Sequence, residues 1–134
     1  MIGVLIVTHG DIGESLLASA AQILDGVPPL TATIGVSRSD DLDDLVLRAR
    51  RLLEQLDAGD GVLVLTDIFG ATPGNVIARL LKDGRVEGVS GLSLPMLLRV
   101  LTGRNSSLAG AVRRALSGGT EGVVHMNTDR CLDA

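Results

Sequence analysis

The sequence begins with an apolar run, MIGVLIV, which is followed at once by Thr8, His9 and Gly10. An uninterrupted apolar run of this length is typical of a strand buried on both faces of a parallel sheet. The apolar residues that come next recur at helical spacing from Ile12 to Leu24 and predict a helix. His9 is therefore expected at the carboxyl end of a strand and just before a helix, where α/β sheets bind ligands and anions.

The rest of the chain repeats this alternation of strand and helix. Strands are predicted at Val4–Val7, Thr31–Val36, Val62–Leu65, Val86–Val89 and Gly122–Met126. Helices are predicted at Ile12–Leu24, from a cap at Ser39 or Asp40 to Leu56, after Thr72 with Val76, Ile77, Leu80 and Leu81 facing inward, from Leu94 to Gly103, and at Leu108–Leu116, where Gly118 and Gly119 end the last one. Short connections in this order imply a single α/β domain with a mostly parallel sheet.

The order of the strands determines which residues meet. If the second and third strands lie on either side of the first, a ligand crevice opens between strands one and three, and His9 and Asp67 stand at their ends. A carboxylate that accepts from one imidazole nitrogen fixes the tautomer and leaves the other nitrogen free to attack. The pair predicts a nucleophilic histidine that accepts a phosphoryl group. Each residue alone also has a structural reading, His9 as a hydrogen-bonding strand end and Asp67 as a loop or helix cap.

Two loops are expected to bind the phosphoryl oxygens. Gly10 and the residues that begin the first helix offer backbone N–H groups and the positive end of the helix dipole. Gly70, Ala71 and Thr72 offer further N–H groups and a hydroxyl, although Thr72-Pro73 is also an ordinary helix start. Neither loop contains lysine or arginine, so dipoles are expected to balance the charge. That arrangement suits a site that releases its phosphoryl group easily.

Composition excludes several classes of protein. The single cysteine, Cys131, excludes an internal disulfide framework and indicates a reducing compartment, so a cytoplasmic protein is expected. A net charge of −4 without a basic run argues against a nucleic-acid partner. The opening apolar run is too short for direct membrane insertion. His9, His125 and Cys131 lack metal-ligand spacing, so neither a metal nor a cofactor is expected, and His125 is predicted at a surface or interface.

The nucleotide-binding motifs Gly-x-Gly-x-x-Gly and Gly-Lys-Ser/Thr are missing at the expected places, which argues against a nucleotide-dependent enzyme. Four arginines in the last third of the chain are expected on a solvated face rather than at a docking surface. They are Arg99, Arg104, Arg113 and Arg114.

Three segments resemble the IIA domain of the mannose family of the sugar phosphotransferase system. They are Thr8-His9-Gly10, the stretch from Leu65 through Asp67-Ile68-Phe69-Gly70-Ala71-Thr72-Pro73-Gly74 to Asn75, and Gly91-Leu92-Ser93-Leu94-Pro95-Met96-Leu97. The resemblance implies that the phosphocarrier protein HPr phosphorylates His9, which passes the phosphoryl group to a histidine of a IIB domain. It further implies that Asp67 supports the imidazole and that Thr72 lies by the phosphoryl group.

The same resemblance implies a fold and an assembly. The expected fold is a five-stranded α/β sheet with helices on both faces, in a homodimer. The Gly122–Met126 strand would be an antiparallel edge strand exchanged between subunits. Ala71 departs from the family pattern, in which a second glycine is common at that position.

The chain is expected to be one IIA domain over residues 1–134 without a fused IIB domain, so that the acceptor is a separate protein. Two alternatives stay open. In one, the domain is a regulatory phosphorelay module whose phosphorylation state controls a partner without sugar transport. In the other, it is the phosphotransfer subunit of a dihydroxyacetone kinase, whose loop is expected to lack the Gly-Ala-Thr-Pro-Gly-Asn pattern.

Overall fold

The computed structural model describes residues 1–129, and Cys131 lies outside the described residues. Its strands are β1 (Gly3–His9), β2 (Thr31–Val36), β3 (Val62–Thr66) and β4 (Val86–Ser90). Its helices are α1 (Ile12–Ile23), α2 (Leu42–Leu56), α3 (Thr72–Ala78), α4 (Leu94–Leu101), α5 (Leu108–Glu121) and α6 (Met126–Asp129). In this part of the chain, no helix is long and apolar enough to cross a membrane.

The sheet has the order β2-β1-β3-β4, and every pair of neighbouring strands is parallel. In the register of β1, Val7 lies beside Ile34 of β2 and Thr66 of β3. The prediction that strands two and three flank strand one is confirmed. The order reverses between β1 and β3, so their carboxyl ends form the crevice in which such sheets bind ligands.

Helices cover both faces of the sheet, as expected. Because side chains of a strand point alternately to opposite faces, Val4 and Ile6 of β1 pack against one helical layer and Leu5 and Val7 against the other. The first layer is α1, α4 and α5, with Ala20, Met96, Leu97, Val100, Ala111 and Ala115 buried. The second is α2 and α3, with Leu45, Val46, Ala49, Leu56, Val76 and Ile77 buried. Both layers are aliphatic, so the apolar strands are fixed between them.

The prediction that Gly118 and Gly119 end the last long helix is wrong, because α5 continues to Glu121. Glycine in a helix costs about 1 kcal/mol relative to alanine, and here it permits close helix packing. A Cβ atom on Gly118 would lie 2.9 Å from the Arg99 Cβ of α4. These glycines therefore serve contact between α4 and α5 rather than chain reversal.

The Gly122–Met126 segment, predicted as an edge strand exchanged between subunits, is not a strand in the single chain. Gly122 is the C-cap of α5, residues 123–125 have no regular structure and Met126 begins α6. A strand requires a hydrogen-bonded neighbour, and this segment pairs with no strand within residues 1–129. Four strands, rather than five, form the described sheet.

The structure differs from two predictions about helix ends by a few residues. Asp41 caps α2 instead of Ser39 or Asp40, and its carboxylate accepts from the Asp44 N–H at 3.2 Å. Leu81 is 50% exposed rather than inward, because α3 ends at Ala78. Helix ends are the least certain feature of any sequence pattern.

Arg104 is buried, so its expected place on a solvated face is wrong. Its guanidinium donates to the carbonyl oxygens of Ile2, Pro29 and Leu30, at the amino ends of β1 and β2. Buried carbonyl groups need donors, and this arginine supplies them where two strands begin. Arg104 therefore lies at the amino ends of the parallel strands, whereas His9 lies at the carboxyl end of β1.

Candidate functional site

His9 is the last residue of β1 and lies beside Val36 of β2 in the parallel register. The preceding residues of the strand are buried, whereas the His9 side chain is 48% exposed. The strand therefore fixes the backbone of His9 while the imidazole stays accessible from the crevice. Its partner, Asp67, directly follows Thr66 at the end of β3 and is only 13% exposed.

The two residues are joined by two hydrogen bonds to one carboxylate oxygen. The Nδ1 atom of His9 lies 2.8 Å from Oδ2 of Asp67, and the backbone N–H of His9 donates to the same oxygen at 3.1 Å. The other oxygen, Oδ1, accepts from the Thr66 hydroxyl at 3.2 Å and from the Ile68 N–H at 3.1 Å. With donors on both oxygens, the carboxylate is held in one orientation toward the ring.

Burial raises the pKa of Asp67, but the hydrogen bonds from the ring and backbone of His9, together with the charge of His9, outweigh it and lower the pKa below the ordinary value. The carboxyl group is therefore ionised at neutral pH and acts only as an acceptor. It follows that Nδ1 of His9 carries the proton that faces Asp67, so that in the neutral ring the lone pair lies on Nε2.

Gly10 makes the turn that leads from β1 to α1. Its φ of +49° lies in the left-handed region, which favours glycine. Its N–H already donates to the Val36 carbonyl at 2.9 Å. The adjacent strand comes so close that a Cβ atom on Gly35 would lie 2.3 Å from the Gly10 carbonyl oxygen. Sequence reasoning missed Gly35, although a glycine inside a β-favouring run is a signal of close backbone approach.

Thr8 fixes the start of α1 relative to His9. Its hydroxyl accepts from the Gly13 N–H at 2.8 Å, and the side chain is fully buried. The hydrogen bond satisfies one of the N–H groups that have no partner within a helix. This bond therefore fixes the N-terminus of α1, the positive end of the helix dipole, which begins three residues after His9 in the chain.

The loop after Asp67 leads directly into α3. Gly70 has a φ of +89°, Ala71 occupies the N-cap position, and Thr72 and Pro73 are the first two helical residues. Thr72 is exposed, and it stands one position further into the helix than the predicted cap. His9 and Asp67 are thus in contact as expected, and Gly70, Ala71 and Thr72 follow them in the adjoining loop.

His125 is exposed and lies beyond α5. Among the residues whose side chains the structure describes, no three His, Cys, Asp or Glu side chains come together as candidate metal ligands.

Comparisons with known proteins show the family to which the chain belongs. The family model EIIA-man, described as "PTS system fructose IIA component", matches residues 3–117. The mannose-specific EIIAB component of Escherichia coli K12 is 32% identical over 125 residues, which cover 91% of this chain and 38% of that protein. The chain thus spans about four-tenths of the length of that relative.

Two further relatives match over more of their own length. The fructose-specific EIIA component of Bacillus subtilis 168 is 33% identical over 103 residues, 76% of this chain and 70% of that protein. The crystal structure of a phosphotransferase system component EIIA from Streptococcus agalactiae superposes with a TM-score of 0.84 at 27% identity, covering 96% of this chain and 99% of the other. The chain therefore belongs to the mannose and fructose family of IIA components of the phosphotransferase system.

Proposed function

We propose that this protein is a phosphocarrier in which His9 accepts a phosphoryl group from phosphorylated HPr and passes it to a histidine of a separate IIB protein. The observation that carries the proposal is the contact of Asp67 with Nδ1 of His9 at 2.8 Å. In the neutral ring, that contact makes Nε2 the unprotonated nitrogen, and the ring is exposed, as a nucleophile requires. Membership of the IIA family supports the same assignment.

The transfer is a displacement between two nitrogen atoms. The lone pair on Nε2 of His9 attacks the phosphorus atom of phosphohistidine in HPr, the P–N bond to HPr breaks, and its electron pair returns to the HPr imidazole. The His9 ring then carries the phosphoryl group on Nε2 and a proton on Nδ1. Asp67 stabilises the positive charge that the ring acquires, as a carboxylate does for a catalytic imidazolium. Attack by a IIB histidine on the same phosphorus atom reverses the bond changes and frees His9.

The phosphoryl oxygens would be held by dipoles. The N-terminus of α1 contributes its positive end, and the Gly70–Thr72 loop contributes N–H groups and the Thr72 hydroxyl. Gly10 contributes the turn that brings α1 to the site, because its own N–H is engaged by Val36. A cradle of this kind stabilises the phosphoryl group less than cations would, which suits onward transfer.

Phosphorylation with purified HPr and enzyme I tests the proposal. The wild-type protein should acquire one acid-labile, base-stable phosphoryl group, and His9→Ala should acquire none. His125→Gln changes the only other histidine and is the matched control, which should be labelled like the wild type. If His9→Ala is labelled as well as the wild type, the proposal fails.

Addition of a IIB protein then separates transport from regulation. Discharge of the labelled protein by IIB supports a relay to sugar transport. A label that persists with IIB, and is accompanied by a change in the activity of a partner, supports the regulatory alternative.

We further propose a homodimer in which the segment after α5 adds to the sheet edge of a second copy. Beyond the bridge between Lys82 and Val86, the outer edge of β4 has no neighbouring strand among residues 1–129. Val123 and Val124 are 84% and 46% exposed in the single chain. Sedimentation should show a dimer for the wild type and a monomer for a Val123→Asp, Val124→Asp variant. A wild-type monomer at all concentrations would refute the exchange.

A further inference from the structure

Arg104 carries a buried positive charge that no described carboxylate balances. The residue is 5% exposed, and none of the ion pairs within residues 1–129 includes it. Arginine is rarely buried without an acidic partner, because removing a charge from water is costly. Burial lowers the pKa of the Arg104 guanidinium, but an arginine stays protonated at neutral pH. The charge therefore persists, and the transfer proposed at His9 makes no use of it.

The carbonyl oxygens around Arg104 leave one of its donors unused. A guanidinium has five N–H groups. Nε donates to the Ile2 carbonyl, Nη2 donates to those of Ile2 and Leu30, and Nη1 donates to that of Pro29. The second N–H of Nη1 has no acceptor in the part of the chain that the structure describes. Because the three carbonyl groups are neutral, they satisfy hydrogen bonds but do not cancel the charge.

Arg104 also lines a cavity of about 360 Å³. The cavity lies between the segment that follows α1 and the end of α4. Its wall is mainly apolar and includes Leu24, Val27, Pro28, Pro29 and Leu101. An apolar cavity of this size with a few polar groups is typical of a site for a small molecule.

Asn105 brings a second unused donor to the same cavity. Asn105 lines the cavity, and its amide makes no hydrogen bond within residues 1–129. The α-ammonium group of Met1 is at the cavity too, but Asp60 binds it at 2.5 Å. Asp25, between two residues of the wall, is exposed and forms no ion pair with Arg104. The unused donors of the cavity therefore belong to Arg104 and Asn105, and they suit an anion.

We propose that this cavity binds a small organic anion with one carboxylate and a short aliphatic body. The carboxylate would accept from Nη1 of Arg104 and from the Asn105 amide, and its charge would balance the buried guanidinium. The aliphatic body would lie against the prolines and leucines of the wall, where it is removed from water.

The site is separate from the one at His9. Arg104 binds the carbonyl of Ile2, just before β1, whereas His9 ends that strand. The seven residues of β1 place about 20 Å between the two ends, at the usual rise of a strand. The inference therefore does not depend on the proposed function, and either one can fail without the other.

NMR titration of the ¹⁵N-labelled protein with hexanoate tests the site. Hexanoate should shift the guanidinium N–H signals of Arg104 and the backbone amides of Gly26 and Leu101, and the shifts should saturate. The guanidinium signals of Arg113, an exposed arginine, should not move. Hexanamide has the same aliphatic body without the charge and should bind about tenfold more weakly or worse, since it loses a charge-assisted hydrogen bond. Acetate should also bind at least about tenfold more weakly, because it buries little apolar surface.

A variant of Asn105 tests the second donor. Arg104→Met is expected to lose stability, so Asn105→Ala, in an exposed position, is the better probe. It should raise the Kd for hexanoate about fivefold or more, the effect of losing one hydrogen bond to a charged group. Gln55→Ala removes an exposed amide from α2, on the other face of the sheet, and is the matched control. It should bind hexanoate like the wild type.

Four results would overturn the proposal. Arg104 signals that do not respond to hexanoate would leave the guanidinium with a structural role alone. Equal affinities for hexanoate and hexanamide would show that the charge is not recognised. Acetate that binds as tightly as hexanoate would refute the aliphatic body, and an Asn105→Ala protein with the Kd of Gln55→Ala would refute the amide contact.

Discussion

One carboxylate oxygen of Asp67 accepts hydrogen bonds from both the ring and the backbone of His9, at 2.8 and 3.1 Å. The backbone bond ties the end of β1 to the end of β3, and the ring bond sets the orientation of the imidazole. The Asp67 side chain therefore both joins the two strand ends and orients the reactive ring. Because Thr66 and Ile68 occupy the other oxygen, the carboxylate cannot rotate away without losing two more bonds.

Removal of the Asp67 carboxylate should slow phosphoryl transfer while leaving the protein folded. Asp67→Ala should reduce the rate constant for phosphorylation about 10–1000-fold, because the ring loses both tautomer control and support for its positive charge. Asp67→Asn should be intermediate, since an amide oxygen still accepts from Nδ1. Asp83→Asn, in an exposed turn, is the control. An Asp67→Ala protein with the wild-type rate would remove this residue from the mechanism.

The same residue predicts a pH dependence of stability. Folding lowers the pKa of Asp67, so near and below its ordinary value the unfolded chain binds more protons than the native protein. The stabilisation is present above the unfolded pKa, about 3.9, and is lost as the pH falls through the lower folded value. Urea unfolding from pH 6 to about pH 2.5 should therefore show a steeper acid loss in the wild type than in Asp67→Asn. Equal slopes would contradict the lowered pKa.

Thr8→Val should destabilise the protein by about 0.5–2 kcal/mol, the usual cost of losing a helix-capping oxygen. Valine keeps the shape of threonine but leaves the Gly13 N–H without its acceptor. Hydrogen exchange should be faster at the Gly13 amide in this variant. Thr8→Ser retains the hydroxyl and should retain slow exchange at that amide, whereas rapid exchange in the serine variant would argue against the cap.

Arg104→Met should lower the free energy of unfolding by about 2–5 kcal/mol, because the buried carbonyl group of Ile2 and the part-buried ones of Pro29 and Leu30 lose a donor that they share. Arg113→Met changes an exposed arginine and should stay within about 0.5 kcal/mol of the wild type. Urea denaturation of both variants provides the comparison. Similar stabilities would mean that water replaces the guanidinium at the amino ends of the strands.

Local patterns predicted the parts of the fold that depend on local sequence. The apolar runs predict β1 to β4, and the topology rule for parallel sheets predicts that His9 lies opposite Asp67, as the structure shows. The IIA resemblance and the observed family agree.

The contacts that sequence reasoning missed all depend on a neighbouring element. Gly35 is required because the Gly10 carbonyl approaches from another loop, and Arg104 is buried because strand ends distant in sequence converge on it. The glycines of α5 predict the end of a helix, whereas in the structure they lie within α5 and allow α4 to pack closely against it. Gly122–Met126 was predicted as a strand, yet a strand forms only where it pairs with another, and this segment pairs with no strand within residues 1–129.

The nitrogen atom that carries the phosphoryl group is the most direct test of the account. The protein, labelled with ¹⁵N in its histidines, would be phosphorylated by phosphorylated HPr and examined by phosphorus and nitrogen NMR. Because Asp67 holds the proton on Nδ1, the account predicts a phosphoryl group on Nε2 of His9 and a protonated Nδ1. A phosphoryl group on Nδ1, or on any residue other than His9, would contradict it.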